Sequence, residues 1–316
     1  MTAVALGVVR ALDFLAIALI AGSLVFARAA AAALDERMHS RVRALLIAGL
    51  LLGMVASVVA AALVSGDRQE VVWALQAGLL AASLASWRLR RGRTARLALL
   101  SVYLIAVPAL SGHPWGEDPW AFIPSGFVHV AAASVWIGGL VCVAVVLPLA
   151  LRESSPGERT RVLAGVLGAF SPLALVCVCL LGLTGLIQAY VAVRSVHALA
   201  NTTYGQLVVV KTGLLGLLIG LGAVNRERVI PTLRRLASAG EAPGSAGPLI
   251  SRTTAGELAT LVCVLAAAAA LAAFTPPQAS RVRVRQAPTA SQVNSQSARI
   301  TTARPAPIVT PLLSGS

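Results

Sequence analysis

Four stretches of the chain, 44–66, 119–151, 162–193 and 258–280, contain almost no Asp, Glu, Lys or Arg. Each supplies the roughly 20 apolar residues that a helix needs to cross the hydrocarbon core of a bilayer. A water-soluble domain would have to bury all four on every side. The rest of the chain cannot do that: 57% of its 316 residues are hydrophobic and 12% charged, where soluble domains carry roughly 25% charge. A soluble globular protein and a disordered chain are both excluded. In lipid every backbone N–H and C=O needs an internal partner, so apolar runs of this length are read as helices. The fold class is all-α, a polytopic bundle of about eight transmembrane helices.

The eight spans are predicted at 4–27, 43–64, 71–88, 95–111, 126–150, 162–191, 205–224 and 254–274. Arginine supports the alternation. Connections one, three, five and seven hold seventeen Arg: Arg28, Arg37, Arg41 and Arg43; Arg88, Arg90, Arg91, Arg93 and Arg96; Arg152, Arg159 and Arg161; Arg226, Arg228, Arg234, Arg235 and Arg252. The alternate connections hold two, Arg68 and Arg194. Cytoplasmic loops collect positive charge, so the N-terminus is expected outside. The net charge of +14 is therefore topology first, and no nucleic-acid partner is expected. Asp13 interrupts the first apolar segment and no basic region precedes it, so residues 1–33 read as a span and not as a cleaved leader. Residues 1–275 are taken as one transmembrane domain. Residues 276–316, rich in Pro, Ser, Thr, Gln and Ala, are expected to form a disordered extracytoplasmic tail. Arg281, Arg283 and Arg285 at its start run against the charge rule. The stretch 236–253 reads as a flexible cytoplasmic connector.

Histidine is the residue type that points to chemistry. His39 falls among charged residues on the cytoplasmic side and reads as solvated. His113, His129 and His197 all fall at the outer face: one ends the fourth span, one begins the fifth, and one lies in the loop after the sixth. Glu117 and Asp118 stand in the loop between the first two. Imidazole and carboxylate are ligands for copper or zinc, so His113 and His129 form a candidate metal-entry site, with His197 as a weaker member. Interfacial His also serves as a polar cap, and no generic metal signature has this spacing. Asp13 is a possible third ligand. It lies nine residues before Gly22, as His129 lies nine before Gly138, which hints at a repeat in which both sit at one depth. The plainer role for Asp13 is a pair with Arg10. Two outer-face histidines would also serve a bis-His haem, which makes a haem-binding electron-transfer protein the alternative function.

Other residues read mainly as packing. Cys142, Cys177, Cys179 and Cys263 lie inside apolar runs, and positions two apart on a helix face different ways. Gly138-Gly139 and Gly216-x-x-x-Gly220 allow close helix approach, and Pro108, Pro148 and Pro172 are expected to kink their helices. Lys211 and Glu257 are charges in or near the membrane, functional by default, although Lys211 sits early enough in its span to snorkel. No phosphate loop, dinucleotide fingerprint or hydrolase motif occurs, so no enzyme is expected.

Several segments together resemble a known family. They are Ser111-Gly112-His113; His129 followed by Trp136 and Gly138-Gly139-Leu140; Phe170-Ser171 and Thr184-Gly185; Thr203-Tyr204-Gly205 leading to Lys211; Asn225-Arg226 with Pro231; and Glu257 through Pro276-Pro277. Over 111–277 the chain is similar to the copper resistance D (CopD) family of bacterial inner-membrane proteins. The resemblance implies an eight-helix, multi-pass protein of copper uptake or homeostasis, taking Cu(II) or Cu(I) as cargo. It makes Trp136, Lys211 and Glu257 transport-associated residues. It also implies a periplasmic CopC-like copper carrier as partner, which is expected to be a separate chain.

Overall fold

The computed structural model describes residues 2–63, 67–85, 119–153, 155–193 and 196–240. Among these residues the chain is helical and has no strand. The elements are α1 (Thr2–Ala29), α2 (Glu36–Leu63), α3 (Asp67–Ala85), α4 (Pro119–Glu153), α5 (Pro156–Val193), α6 (Val196–Asn201), α7 (Thr203–Val224) and α8 (Ile230–Ala239), with a π-turn at Asn225–Val229 between the last two. Five stretches are long and apolar enough to cross a membrane: Ala5–Ala29, Glu36–Leu63, Pro124–Leu149, Gly157–Tyr190 and Gly205–Ala239. The third helix has a shorter apolar part, Val71–Leu84. The predicted spans 95–111 and 254–274, and the tail 276–316, lie outside the described residues, as do His113, Glu117 and Glu257.

The helices overrun the predicted spans because local capping, not hydropathy, sets where they end. Asp35 Oδ1 accepts from the backbone N–H of Met38 at 2.7 Å, an N-cap that starts α2 seven residues before the predicted span. Thr202 does the same for α7, its hydroxyl oxygen accepting from Gly205 N at 3.0 Å. Two stretches read as loops are helical. His197 lies on α6. Residues 225–239 continue α7 through the π-turn into an amphipathic helix that buries Ile230 and Leu233 and stops at Gly240, φ 70°. Pro231 explains the widened turn. It has no N–H to give and its ring excludes the carbonyl four residues back. The ladder slips by one residue, and Ile230 N–H bonds Asn225 O, five back.

The centre of the bundle is the crossing of α1 and α4. Gly22 faces the backbone of Gly138, and Gly138 faces the carbonyl of Ala18. Without a Cβ on either side the two backbones touch, which in lipid replaces the hydrophobic drive available in water. Gly139 gives the same access to the ring of Phe170 on α5, and Phe170 meets Phe26 edge-on, centroids 6.3 Å apart. By contrast, Gly216 and Gly220 on α7 meet no described residue within 4 Å. The expectation of close packing there is not met among the described residues. Cys142 is buried beside Ser23 (Sγ–Oγ 3.6 Å), Cys177 is buried and Cys179 exposed. The two neighbours on α5 do face different ways.

Contacts fix the running directions. From Gly22–Gly138 to Ser23–Cys142 the numbers rise together, so α1 and α4 are parallel. From His129–Thr184 to Gly139–Phe170 they run oppositely, so α4 and α5 are antiparallel. One end of the bundle gathers the Arg-rich connections: Gly165 faces Ala33, Gly157 faces Gly240, and Gly168 faces the Arg234 guanidinium. Three of the four Arg-rich segments therefore share an end. Asp13, His129, Thr184 and Lys211 lie toward the other.

Candidate metal site

The candidate site is built where α4 enters the bundle. His129 is half-buried there. Its Nδ1 lies 2.8 Å from Thr184 Oγ1 on α5. The Thr184 hydroxyl is itself engaged with Leu180 O, one turn back, at 2.6 Å. A hydroxyl has one proton, and it goes to that carbonyl, which can only accept. Thr184 Oγ1 must then accept from His129 Nδ1–H. The neutral ring is held as the Nδ1–H tautomer, with the Nε2 lone pair left for an external partner. Gly185, next in the chain, lies beside the ring, where a Cβ would stand in ordinary contact, 3.8 Å from His129 Cε1. Beside the ring, Gln188 Nε2 reaches Ser125 O at 3.4 Å and ties the two helices together.

Lys211 is half-buried on α7, toward the same end of the bundle. Trp136, two turns deeper on α4, is 6% exposed and packs in the main core with Phe26 and Phe170. His197 is exposed, and its carbonyl accepts from Asn201 Nδ2 at 3.0 Å. His39 is at the Arg-rich end, its Nδ1 2.9 Å from Asp35 O.

Asp13 is not paired with Arg10, which is exposed. It is 2% exposed, and its Oδ1 accepts a hydrogen bond from Gln76 Nε2 on α3. The Asp13–His129 correspondence does have a structural basis. Each lies nine residues before one of the two glycines that meet, on parallel helices, so both lie about 14 Å from the crossing toward the same end. Their partners differ, however, and no group of three or more His, Cys, Asp or Glu converges among the described residues.

Thr184 and Gln76 were not singled out as site residues by sequence reasoning. Thr184 was visible only as part of the Thr184-Gly185 resemblance. Gln76 carries no charge and leaves hydropathy nearly unchanged, although a buried amide in a membrane helix is itself a signal. Replacing Thr184 by Val should leave Nδ1–H buried without an acceptor and free the ring. Copper affinity is expected to fall about 10- to 100-fold, the usual cost of a lost orienting partner. Thr184→Ser should retain it, and equal affinity in the Val and Ser variants would disprove the orienting role.

The fold and this contact define a class: a polytopic helical membrane protein with a half-buried histidine tied to a threonine of the next long helix. Within that class, residues 164–271 match the family described as copper resistance protein D, CopD, so the resemblance read from the sequence holds over that segment. The chain is 32% identical over 123 residues to "Copper transport protein CutJ" of Bacillus subtilis (strain 168), covering 39% of this chain and 22% of that protein. It is 28% identical over 185 residues to "Copper resistance protein D" of Pseudomonas syringae pv. tomato, covering 57% of this chain and 58% of that one. The chain thus spans between a fifth and three fifths of the length of these relatives. No solved structure matches it. The family match, the two relatives and the five apolar helices fit a multi-pass protein of a bacterial inner membrane.

Proposed function

We propose that the chain is a copper-handling membrane protein that takes the ion in through His129. The observation that carries this reading is the Thr184 hydrogen bond, which holds Nδ1 2.8 Å from the supporting hydroxyl and, in the neutral ring, leaves the Nε2 lone pair free for a metal ion. A metal-binding imidazole is typically held in this way by its other nitrogen. The names of the two relatives supply the metal. His113, one loop upstream, is the second ligand of this reading, and His197 contributes at the surface. Asp13 belongs to the same depth, but its carboxylate is engaged by Gln76 on α3, so this reading gives it no part in holding copper. The Arg-rich end is the cytoplasmic one in this reading, so the ion arrives from the periplasm, where a CopC-like carrier is the natural donor. Lys211 sets the charge of the cluster: a cation beside the ring opposes a resting metal ion and favours its onward movement. Glu257 is the carboxylate this reading assigns to the path deeper in the membrane.

Copper content of the purified protein, measured with Cu(I) and Cu(II) loading kept separate, tests the reading. Stoichiometric copper is expected with no haem absorption. A haem spectrum, or protein that takes up no copper in either state, would remove it. Lys211→Met is expected to insert normally and to lower copper accumulation in cells several-fold. Accumulation equal to wild type would show that the Lys211 charge plays no part in transport.

A further inference from the structure

Asp13 and Gln76 are both buried in the bundle, 2% and 0% exposed. Their contact uses one carboxylate oxygen and the amide Nε2. The other amide atom, Gln76 Oε1, is buried with no hydrogen-bond partner among the described residues. The pair thus shows two unmet demands. An ionised carboxylate in an apolar core with a single neutral donor is far from compensated. A buried carbonyl oxygen with no donor carries its own desolvation cost.

The described surroundings offer no charge to meet either demand. Arg10, on the same helix, is exposed. From α2, residues 44–63 contain no charged side chain, and on α3 Asp67, Arg68 and Glu70 stand six or more residues before Gln76. From α4 the titratable groups are His129, bonded to Thr184, Cys142, bonded to Ser23 ten residues along α1 from Asp13, and Arg152 and Glu153 in its last turn. The α5 helix meets α1 at the far end, through Phe170 and Phe26.

One hydrogen answers both demands. A protonated Asp13 accepts from Gln76 Nε2–H at one oxygen and donates its own O–H to Gln76 Oε1 at the other, the cyclic pairing of a carboxylic acid with a primary amide. Exchanging the amide's oxygen and nitrogen leaves the same requirement, because two acceptors would then face each other without a proton between them. A divalent cation fits poorly, since hard ions of that kind require six or more oxygens.

We propose that Asp13 and Gln76 form a proton-binding site inside the membrane, the counterpart in the first half of the bundle of the His129 cluster in the second. Each half places a polar residue of its first helix against one of a later helix: Asp13 with Gln76, and His129 with Thr184. The site stands independently of the copper reading and is tested on metal-free protein.

The experiment is infrared spectroscopy of the reconstituted protein at neutral pH. Wild type is expected to show a carboxylic-acid C=O band that disappears in Asp13→Asn, shifts in Gln76→Leu, and is retained at a displaced position in Asp13→Glu. Raising the pH should convert the wild-type band to carboxylate. Two results would overturn the proposal. One is a wild-type minus Asp13→Asn difference with no carboxylic-acid band. The other is a carboxylate signal at neutral pH that moves when sodium replaces potassium, which would make the occupant a metal cation. If Asp13→Asn fails to fold, the Gln76→Leu shift carries the test, and an unmoved band there counts against the pair.

Discussion

Gly138→Ala is expected to destabilise the bundle by about 3 kcal/mol, the upper end of what overpacking costs. The reason is the identity of what the new methyl meets. At most crowded positions a side chain can change rotamer to make room. At Gly138 the added carbon falls on the carbonyl of Ala18 and against the Cα of Gly22, both backbone atoms of α1. Neither can move unless the helix does. Separating α1 from α4 also pulls Ser23 from Cys142. The measurement is thermal unfolding in detergent, with Gly78→Ala as the control. Gly78 has no described atom within 4 Å of a would-be Cβ, so Ala there should cost nothing and add helix propensity worth up to about 1 kcal/mol. Equal unfolding temperatures for the two variants would disprove the backbone contact.

The His113→Ala/His129→Ala double variant is expected to lose copper binding by more than about 100-fold, beyond the loss of an orienting partner alone. His129 supplies an imidazole nitrogen whose lone pair the structure leaves open, and its removal also empties the acceptor side of Thr184. His39→Ala should be silent, since that ring is bonded to Asp35 O at the Arg-rich end. Protons compete with copper for Nε2, so affinity in the wild type should fall as the pH is lowered, and this dependence should vanish with the two histidines. Copper titration of each purified variant at several pH values decides the matter. Unchanged affinity in the double variant would dispose of the site.

The membrane character of the chain is legible in its residues alone: long uncharged runs require membrane helices, and the described residues include five of the necessary length. The equal spacing of Asp13 and His129 from Gly22 and Gly138 only hinted at a common depth, which follows once the structure sets those glycines against each other on parallel helices. What the runs could not show was where helices stop. Asp35, Thr202 and Pro231 set those limits through single hydrogen bonds made or withheld, and hydropathy averages over such events.

The chemistry of individual side chains was a tertiary matter. In sequence Asp13 has Arg10 one turn away, and a pair between them is reasonable. The bundle turns Arg10 outward and brings Gln76, on another helix, to the carboxylate instead. In sequence Thr184 is a small polar residue among leucines. In the bundle its one hydroxyl proton is committed to Leu180, and that commitment decides which nitrogen of the neutral His129 ring carries the hydrogen. Partners of this kind come from segments that share no sequence neighbourhood. They meet because α3 packs on α1 and α5 packs on α4, and only the packed structure determines which side chains those contacts bring within a hydrogen bond of each other.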